Sequence, residues 1–251
     1  MKALASDFDN TFYFKDVQEK YHQSDIDAIK QFQKKGNLFG LCTGRPLALL
    51  TKPLKGLLEP DFYIISTGSL ILDKNYQVLY KEELDKQTAS KIYNTYRNEI
   101  ECIACTLSKD KFYFSTNERE DKDLICFNKI EDVQEKIFSI SLVESTRKRA
   151  LEIAEEILQK YDNVDAYVNI DSVDIVPKGC SKGDGVNRLR SILNISSIMG
   201  IGDSYNDLPM LEEANTAFTF DYSPKEIQKK ADYVVSSINE AIQKIESEDL
   251  K

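Results

Sequence analysis

Lys2-Ala3-Leu4-Ala5-Ser6-Asp7-Phe8-Asp9-Asn10-Thr11 begins as a short apolar-leaning run and breaks into two carboxylates one residue apart. Read as a strand, residues 2–6 deliver Asp7 and Asp9 at a carboxyl end, where open α/β sheets place their ligands. Two like charges so close repel, and a fold tolerates them through a cation or a shared proton. The pair therefore reads as half of a metal site. A matching half lies far along the chain, in Gly200-Ile201-Gly202-Asp203-Ser204-Tyr205-Asn206-Asp207.

Outward from that stretch, strand and helix signals alternate. Ser24 reads as the N-cap of a helix over 25–35, with Ile26, Ile29 and Phe32 at helical spacing and Gly36 as its stop. The continuous apolar run Leu38–Cys42 suits a strand buried on both faces of a parallel sheet, and Thr43-Gly44-Arg45-Pro46 follows it. A helical segment over 47–58 is interrupted by Pro53; Phe62–Ile65 is a third strand, ending at Ser66-Thr67-Gly68-Ser69. Residues 70–72 and 78–80 read as a hairpin around the turn 73–75.

From 82 to 177 the texture changes. The pattern predicts a polar helix over 88–99, strands over 103–107 and 111–115, and a period-two strand over 138–143. A strongly amphipathic helix over 147–161 precedes alternating strands over 164–168 and 172–176. One-sided strands next to helices indicate a separate α+β layer. After Gly179 the α/β rhythm resumes: helix Lys182–Leu193, a buried strand over 198–202, a helix from Leu208, strands Thr216–Phe220 and 232–235, and a closing helix over 238–245. The expected fold is α/β, a Rossmann-like doubly wound, mostly parallel core sheet from 1–81 and 178–251, interrupted by an inserted α+β domain over 82–177.

Composition narrows the chemistry. With 251 residues, 41% apolar and 30% charged, the chain has material for a buried core and an ordinary globular balance. A net charge of −9 without a Lys/Arg-rich stripe argues against nucleic acid as a partner. Any phosphate site must be locally positive, from a metal, a lysine or helix amino ends. The first residues carry no signal-peptide pattern, no apolar run is long enough to span a bilayer, and five scattered cysteines suit reduced thiols. The expectation is a cytoplasmic protein off the membrane. Cys102 and Cys105 form a C-x-x-C without a second pair at zinc spacing, so strand or helix packing is their plain reading. The single histidine, His22, lies in a polar stretch and reads as an exposed loop residue, which leaves little room for histidine-based nucleophile systems. Hard oxygen ligands remain, and these favour magnesium over zinc.

Four features fall at strand ends or helix starts of the expected core: Asp7/Asp9, Thr43-Gly44, Lys182, and Asp203/Asn206/Asp207. In order and spacing the chain resembles the haloacid dehalogenase-like hydrolases, in particular the Cof-type phosphatase branch with a large cap inserted after the third core strand. The motifs that carry the resemblance are Asp7-Phe8-Asp9-Asn10-Thr11, Thr43-Gly44-Arg45-Pro46, Val176-Pro177-Lys178-Gly179-Cys180-Ser181-Lys182-Gly183 and Gly202-Asp203-Ser204-Tyr205-Asn206-Asp207. Together they extend over essentially the whole chain.

The resemblance implies a magnesium-dependent phosphatase for small phosphorylated metabolites. Asp7 would be the nucleophile and form an aspartyl-phosphate; Asp9 would protonate the leaving oxygen and then activate water. Magnesium would be held by the Asp7 carboxylate, the Asp9 backbone carbonyl and Asp203. Phe8, the Thr43 hydroxyl, the Gly44 amide, Lys182 and Asn206 would form the phosphate site, with Thr43 and Lys182 also serving catalysis. Asp207 would stand behind them, orienting Lys182 or a metal-bound water. Lys178 is the alternative lysine, and Arg45 reads as structural or as a cap contact. Phe112-Tyr113-Phe114 reads as cap core.

The chain departs from the family pattern at two points. Asn10 stands where glycine is common, and asparagine tolerates positive φ. Thr67-Gly68 replaces an asparagine-glycine pair after the third strand, a change expected to touch substrate contacts. Two other readings stay open: a phosphomutase of the same superfamily, and a non-catalytic phosphate-ligand-binding regulator. A mutase would need a second phosphate-binding cluster of arginines, whereas the inserted domain holds only the dispersed Arg97, Arg119, Arg147 and Arg149. A monomer or weak homodimer is expected.

Overall fold

The chain is seen as a computed structural model that describes residues 1–247 apart from 101, 108–110, 115–123, 127–128 and 145; at 107, 111–114 and 124–126 it describes the backbone alone. Strands are numbered in chain order. The apolar runs become the parallel strands β1 (Lys2–Ser6), β2 (Leu38–Cys42), β3 (Phe62–Ile65), β12 (Ser197–Ile201), β13 (Thr216–Phe220) and β14 (Tyr233–Val235). The hairpin strands β4 (Leu70–Asp73) and β5 (Val78–Lys81) add antiparallel to one edge, giving the order β14-β13-β12-β1-β2-β3-β4-β5. The expected α/β class and mostly parallel core are what the chain adopts.

Why these runs are apolar throughout is visible in the packing. Leu4, Phe39, Leu41, Ile65, Ile201 and Phe218 project from one face onto helices α1 (Gln23–Lys34), α2 (Ala48–Leu54) and α8 (Ile238–Glu246). Their neighbours Ala3, Ala5, Cys42, Ile64 and Ile198 project from the other face onto α5 (Lys182–Leu193), α6 (Leu208–Glu213) and α7 (Lys225–Gln228). Strands covered on both faces need no polar alternation. Each fully buried Leu, Ile or Phe contributes about 1.5–3 kcal/mol against the ordering entropy.

The second sheet has the order β10-β11-β9-β6-β7-β8, built from β6 (Cys102–Leu107), β7 (Lys111–Phe114), β8 (Leu124–Cys126), β9 (Ile137–Val143), β10 (Val164–Asn169) and β11 (Ser172–Pro177). All its pairs are antiparallel except β7–β8. Here period two rules. Ile103, Cys105, Ile140, Leu142, Val173 and Ile175 pack under helices α3 (Lys86–Tyr96) and α4 (Arg147–Lys160). The alternate positions face the core sheet, and this one-sided layer is the cap.

Several sequence expectations change at the margins. Helix α1 begins at Gln23 with His22 at its N-cap position, so Ser24 is not the cap. The Asp25 carboxylate in its first turn accepts instead from the backbone N–H of Asn239, 2.8 Å away, tying α1 to α8. Pro53 stops α2 almost at once, giving seven residues instead of the wider segment over 47–58. Helix α3 starts earlier than expected because Asp85 caps it, accepting from the Thr88 N–H at 2.8 Å. Cys102 and Cys105, three residues apart on a strand, point to opposite faces, Cys105 into the core under the cap helices. The aromatic side chains of 112–114 lie outside the described residues. Among the described residues no helix is long and apolar enough to cross a membrane.

Candidate active site

Register brings the motifs together. Ser6 pairs with Ile201, and the Asp7 N–H donates to the Ile201 carbonyl at 2.9 Å, so the chain segments carrying Asp7 and Asp203 leave the sheet side by side. Leu41 pairs with Ser6 on the other side, which places Thr43 at the same edge, and the Thr43 N–H donates to the Ile64 carbonyl at 2.9 Å. Lys182 arrives from elsewhere, as the first residue of α5, whose N-cap Ser181 accepts from the Asp184 N–H at 2.9 Å.

Lys182 is the hub. Its side chain is 1% exposed, and Nζ donates to Asp7 Oδ1 and to Asp207 Oδ1, both at 2.6 Å. Asp207 is wholly buried, and its Oδ2 accepts from the backbone N–H groups of Asp203 and Ser204, each at 3.0 Å. Burial works against the Lys182 ammonium, but Asp207 and Asp7 outweigh it and hold the amine protonated well above its ordinary range. The carboxylates are short of positive charge. Burial, then Asp207, then Asp203 push the Asp7 carboxyl up, with Lys182 only partly opposing them. Burial and then Asp207 push Asp203 up to about 7.

Asp7, Asp203 and Asp207 can each offer an oxygen within 4.8 Å of the others, a group able to hold a metal ion. Three carboxylates around one lysine leave two negative charges uncompensated, and hard oxygen donors suit a divalent cation such as magnesium. Among the three, Asp207 has both oxygens engaged by Lys182 and by backbone N–H groups. Asp203 is freer, since its Oδ1 accepts only from the Thr11 hydroxyl at 2.9 Å among the described hydrogen bonds.

Asp9 stands apart from that cluster. Arg45 donates from Nε to Oδ2 at 2.7 Å and from Nη2 to Oδ1 at 2.6 Å, and its guanidinium lies over the Phe8 and Tyr13 rings. Phe8 is 0% exposed and packs in the core, and its side chain does not line the cavity. Asn10 takes φ +56°, the turn its position asks for. Thr43 and Asn206 are nearly buried and line the same cavity as Asp7, Asp9 and Gly44. Lys178 does not reach it; it pairs at 2.6 Å with Asp165.

The cavity, about 390 Å³, lies between this edge and the open face of the cap. Across the cap sheet Ala104, Ser141 and Asp174 form one row, and Cys102, Val143 and Ser172 the next. Asp174 Oδ1 accepts from Ser141 Oγ at 2.6 Å and Oδ2 from Thr67 Oγ1 at 3.4 Å. Its Oδ2 comes within 2.6 Å of where a Cβ on residue 44 would sit, so glycine there lets the cap carboxylate close on the loop. Ser66, Thr67 and Gly68 take φ of +49°, +53° and +88° in succession, an unusual run for a β-branched residue to join. Asp174, Ser141, Arg45 and Thr11 are site residues to which the sequence reading assigned no role at the centre. For Asp174 the one signal was the alternation of β11, where Val173 and Ile175 turn to the helices and Asp174 to the core; Arg45 and Thr11 lie within the sequence motifs.

A family model described as haloacid dehalogenase-like hydrolase matches residues 4–244. An uncharacterized protein of Mycoplasma capricolum is 30% identical, over 94% of this chain and 97% of its own. The 5-amino-6-(5-phospho-D-ribitylamino)uracil phosphatase YbjI of Escherichia coli is 23% identical, over 95% and 92%. The subclass IIB sugar phosphatase BT4131 superposes with a TM-score of 0.81 at 18% identity, each chain covered in full. The family model spans both sheets and nearly the whole length, and this chain belongs to the haloacid dehalogenase-like hydrolases.

Proposed function

We propose that the protein is a magnesium-dependent phosphatase that hydrolyses small phosphorylated metabolites, sugar phosphates or cofactor and nucleotide monophosphates, through an aspartyl-phosphate on Asp7. The observation that carries the reading is the unequal setting of two aspartates one residue apart. Asp7 joins the lysine and carboxylate cluster, while Asp9 keeps its carboxylate outside it, on Arg45.

In this reading Lys182 fixes Asp7 Oδ1 and leaves Oδ2 to attack phosphorus. Asp9 turns toward the leaving oxygen, gives it a proton, and later takes one from the water that releases phosphate. Thr43, the Gly44 amide and Asn206 hold the remaining phosphoryl oxygens, and the buried Lys182 ammonium offsets their charge. Magnesium held by Asp7, Asp203 and the Asp9 carbonyl would supply further charge neutralisation at the phosphoryl group. The cap shields the reaction from bulk water.

A phosphomutase would need cationic capture of a second phosphate from the cap. Arg149 is committed to Glu99, Glu152 and Glu156, and the Arg147 guanidinium lies 4.5 Å from the Tyr205 ring centre. Among the described residues no cap arginine lines the cavity, which supports water as the acceptor. The test is phosphate release from para-nitrophenyl phosphate and a metabolite panel. Hydrolysis that needs magnesium and is lost with EDTA and in Asp7→Asn supports the proposal. An inactive wild-type protein across the panel would favour the binding-protein reading instead.

A further inference from the structure

The β10–β11 hairpin turns at the mouth of the cavity on two residues, Ile170 and Asp171, between the paired Asn169 and Ser172. Ile170 takes φ +52°. Two-residue hairpin turns put glycine, asparagine or aspartate in that conformation, and a β-branched side chain there is an outlier. Nor does packing within the chain repay the strain, because Ile170 is 56% exposed. Strained residues concentrate where ligands are handled. Ile170 lines the cavity, as Leu49 of the core and Val143 of the cap do.

The cavity therefore has two zones. Deep, beside Gly44, the 7% exposed Asp174 has Oδ2 only loosely engaged by Thr67, and none of the described lysines or arginines pairs with it. That floor accepts hydrogen bonds from hydroxyl groups and repels a second anion. At the mouth the exposed face of Ile170 offers only hydrocarbon. We propose that Ile170 is a specificity-determining residue, covering the apolar face of a leaving group that carries hydroxyls near phosphorus and a planar or apolar portion farther out. The inference rests on the phosphatase reading above.

Its test compares kcat/KM for flavin mononucleotide, which has a polyol next to phosphorus and a ring beyond, with ribose 5-phosphate, which lacks the ring. Para-nitrophenyl phosphate reports basal activity. Glycine and asparagine both accept φ near +52°, so Ile170→Gly and Ile170→Asn fold without the strain, and their thermal midpoints should hold or rise. Both variants are expected to lose about tenfold on flavin mononucleotide and less than about twofold on ribose 5-phosphate, the scale of one lost apolar side-chain contact. Ile170→Val should keep most of the selectivity. Equal losses on both substrates overturn the inference, as do unchanged values or a wild-type preference for ribose 5-phosphate. So does a change confined to oligomeric state on size exclusion. Wild-type protein inactive on all three substrates with magnesium instead removes the phosphatase reading, and this inference falls with it.

Discussion

Arg45 holds both carboxylate oxygens of Asp9, Nε on Oδ2 at 2.7 Å and Nη2 on Oδ1 at 2.6 Å, while its guanidinium lies over Phe8. The planar fork fixes the carboxylate plane in a way that lysine cannot. If Asp9 moves protons to and from the leaving oxygen, Arg45 positions it. Arg45→Ala is expected to lower kcat about ten- to hundredfold on alkyl phosphates, whose leaving oxygen needs a proton. Para-nitrophenyl phosphate, with its weakly basic leaving group, should lose much less, and Arg45→Lys should fall between. Equal losses on both substrates, or a loss wholly in KM, would assign Arg45 to substrate binding.

Lys182 neutralises a buried carboxylate pair, so its loss should damage folding as well as turnover. Lys182→Met leaves Asp7 and Asp207 buried without their cation, and removal of one partner from such a group costs about 3–5 kcal/mol. Urea denaturation in the presence of EDTA should show that loss. The double variant Lys182→Met with Asp7→Asn should recover part of it, because one of the stranded charges is gone. Additive losses in the double variant would mean that the two side chains do not share one electrostatic unit.

A divalent cation held by Asp7 and Asp203, beside Asp207, relieves the same repulsion from the opposite side. Magnesium at about a hundred times its dissociation constant should raise stability by about 2–3 kcal/mol, read as a higher thermal midpoint that EDTA reverses. Asp203→Asn should shrink the shift. Asp9→Asn, whose carboxylate lies outside the cluster, should leave most of it in place. A shift that Asp203→Asn leaves intact would move the ion to another site.

The core was legible because its signals are local. Strand β1 announces itself by an apolar run cut off at Asp7, and Ser6 pairing with Ile201 then brings Asp203 beside it without further instruction. Lys182 could be placed because the motif Ser181-Lys182-Gly183 falls at an expected helix start, which Ser181 caps. The cap resisted, for a physical reason. Alternation in Ser172–Pro177 tells which residues share a face, but not that Asp174 would meet Thr67 and Gly44, since that depends on how one layer closes over another. Arg45 was hidden likewise: its role depends on the turn that swings Asp9 away from Asp7. Strand β8 has no clear pattern in a charged stretch and went unread.

Asp174 gives the cap a pH signature. Burial is the chief cause that raises its carboxyl above the ordinary value of 3.8; hydrogen bonding by Ser141, the Lys182 charge and Thr67 oppose it only in part. A group whose folded pKa exceeds its unfolded one is protonated more tightly in the native state. Below the unfolded value both states carry the proton and nothing is lost. As pH rises past it, the unfolded chain ionises first, so this group's contribution to stability falls until the raised native value is passed, then stays level. Asp174→Asn keeps the shape and an acceptor for Ser141 but cannot ionise. In urea titrations at pH 4.5 and 7.5 the variant should therefore gain on the wild-type protein as pH rises. A gap that stays constant or narrows over that interval would show that Asp174 carries no such burial penalty.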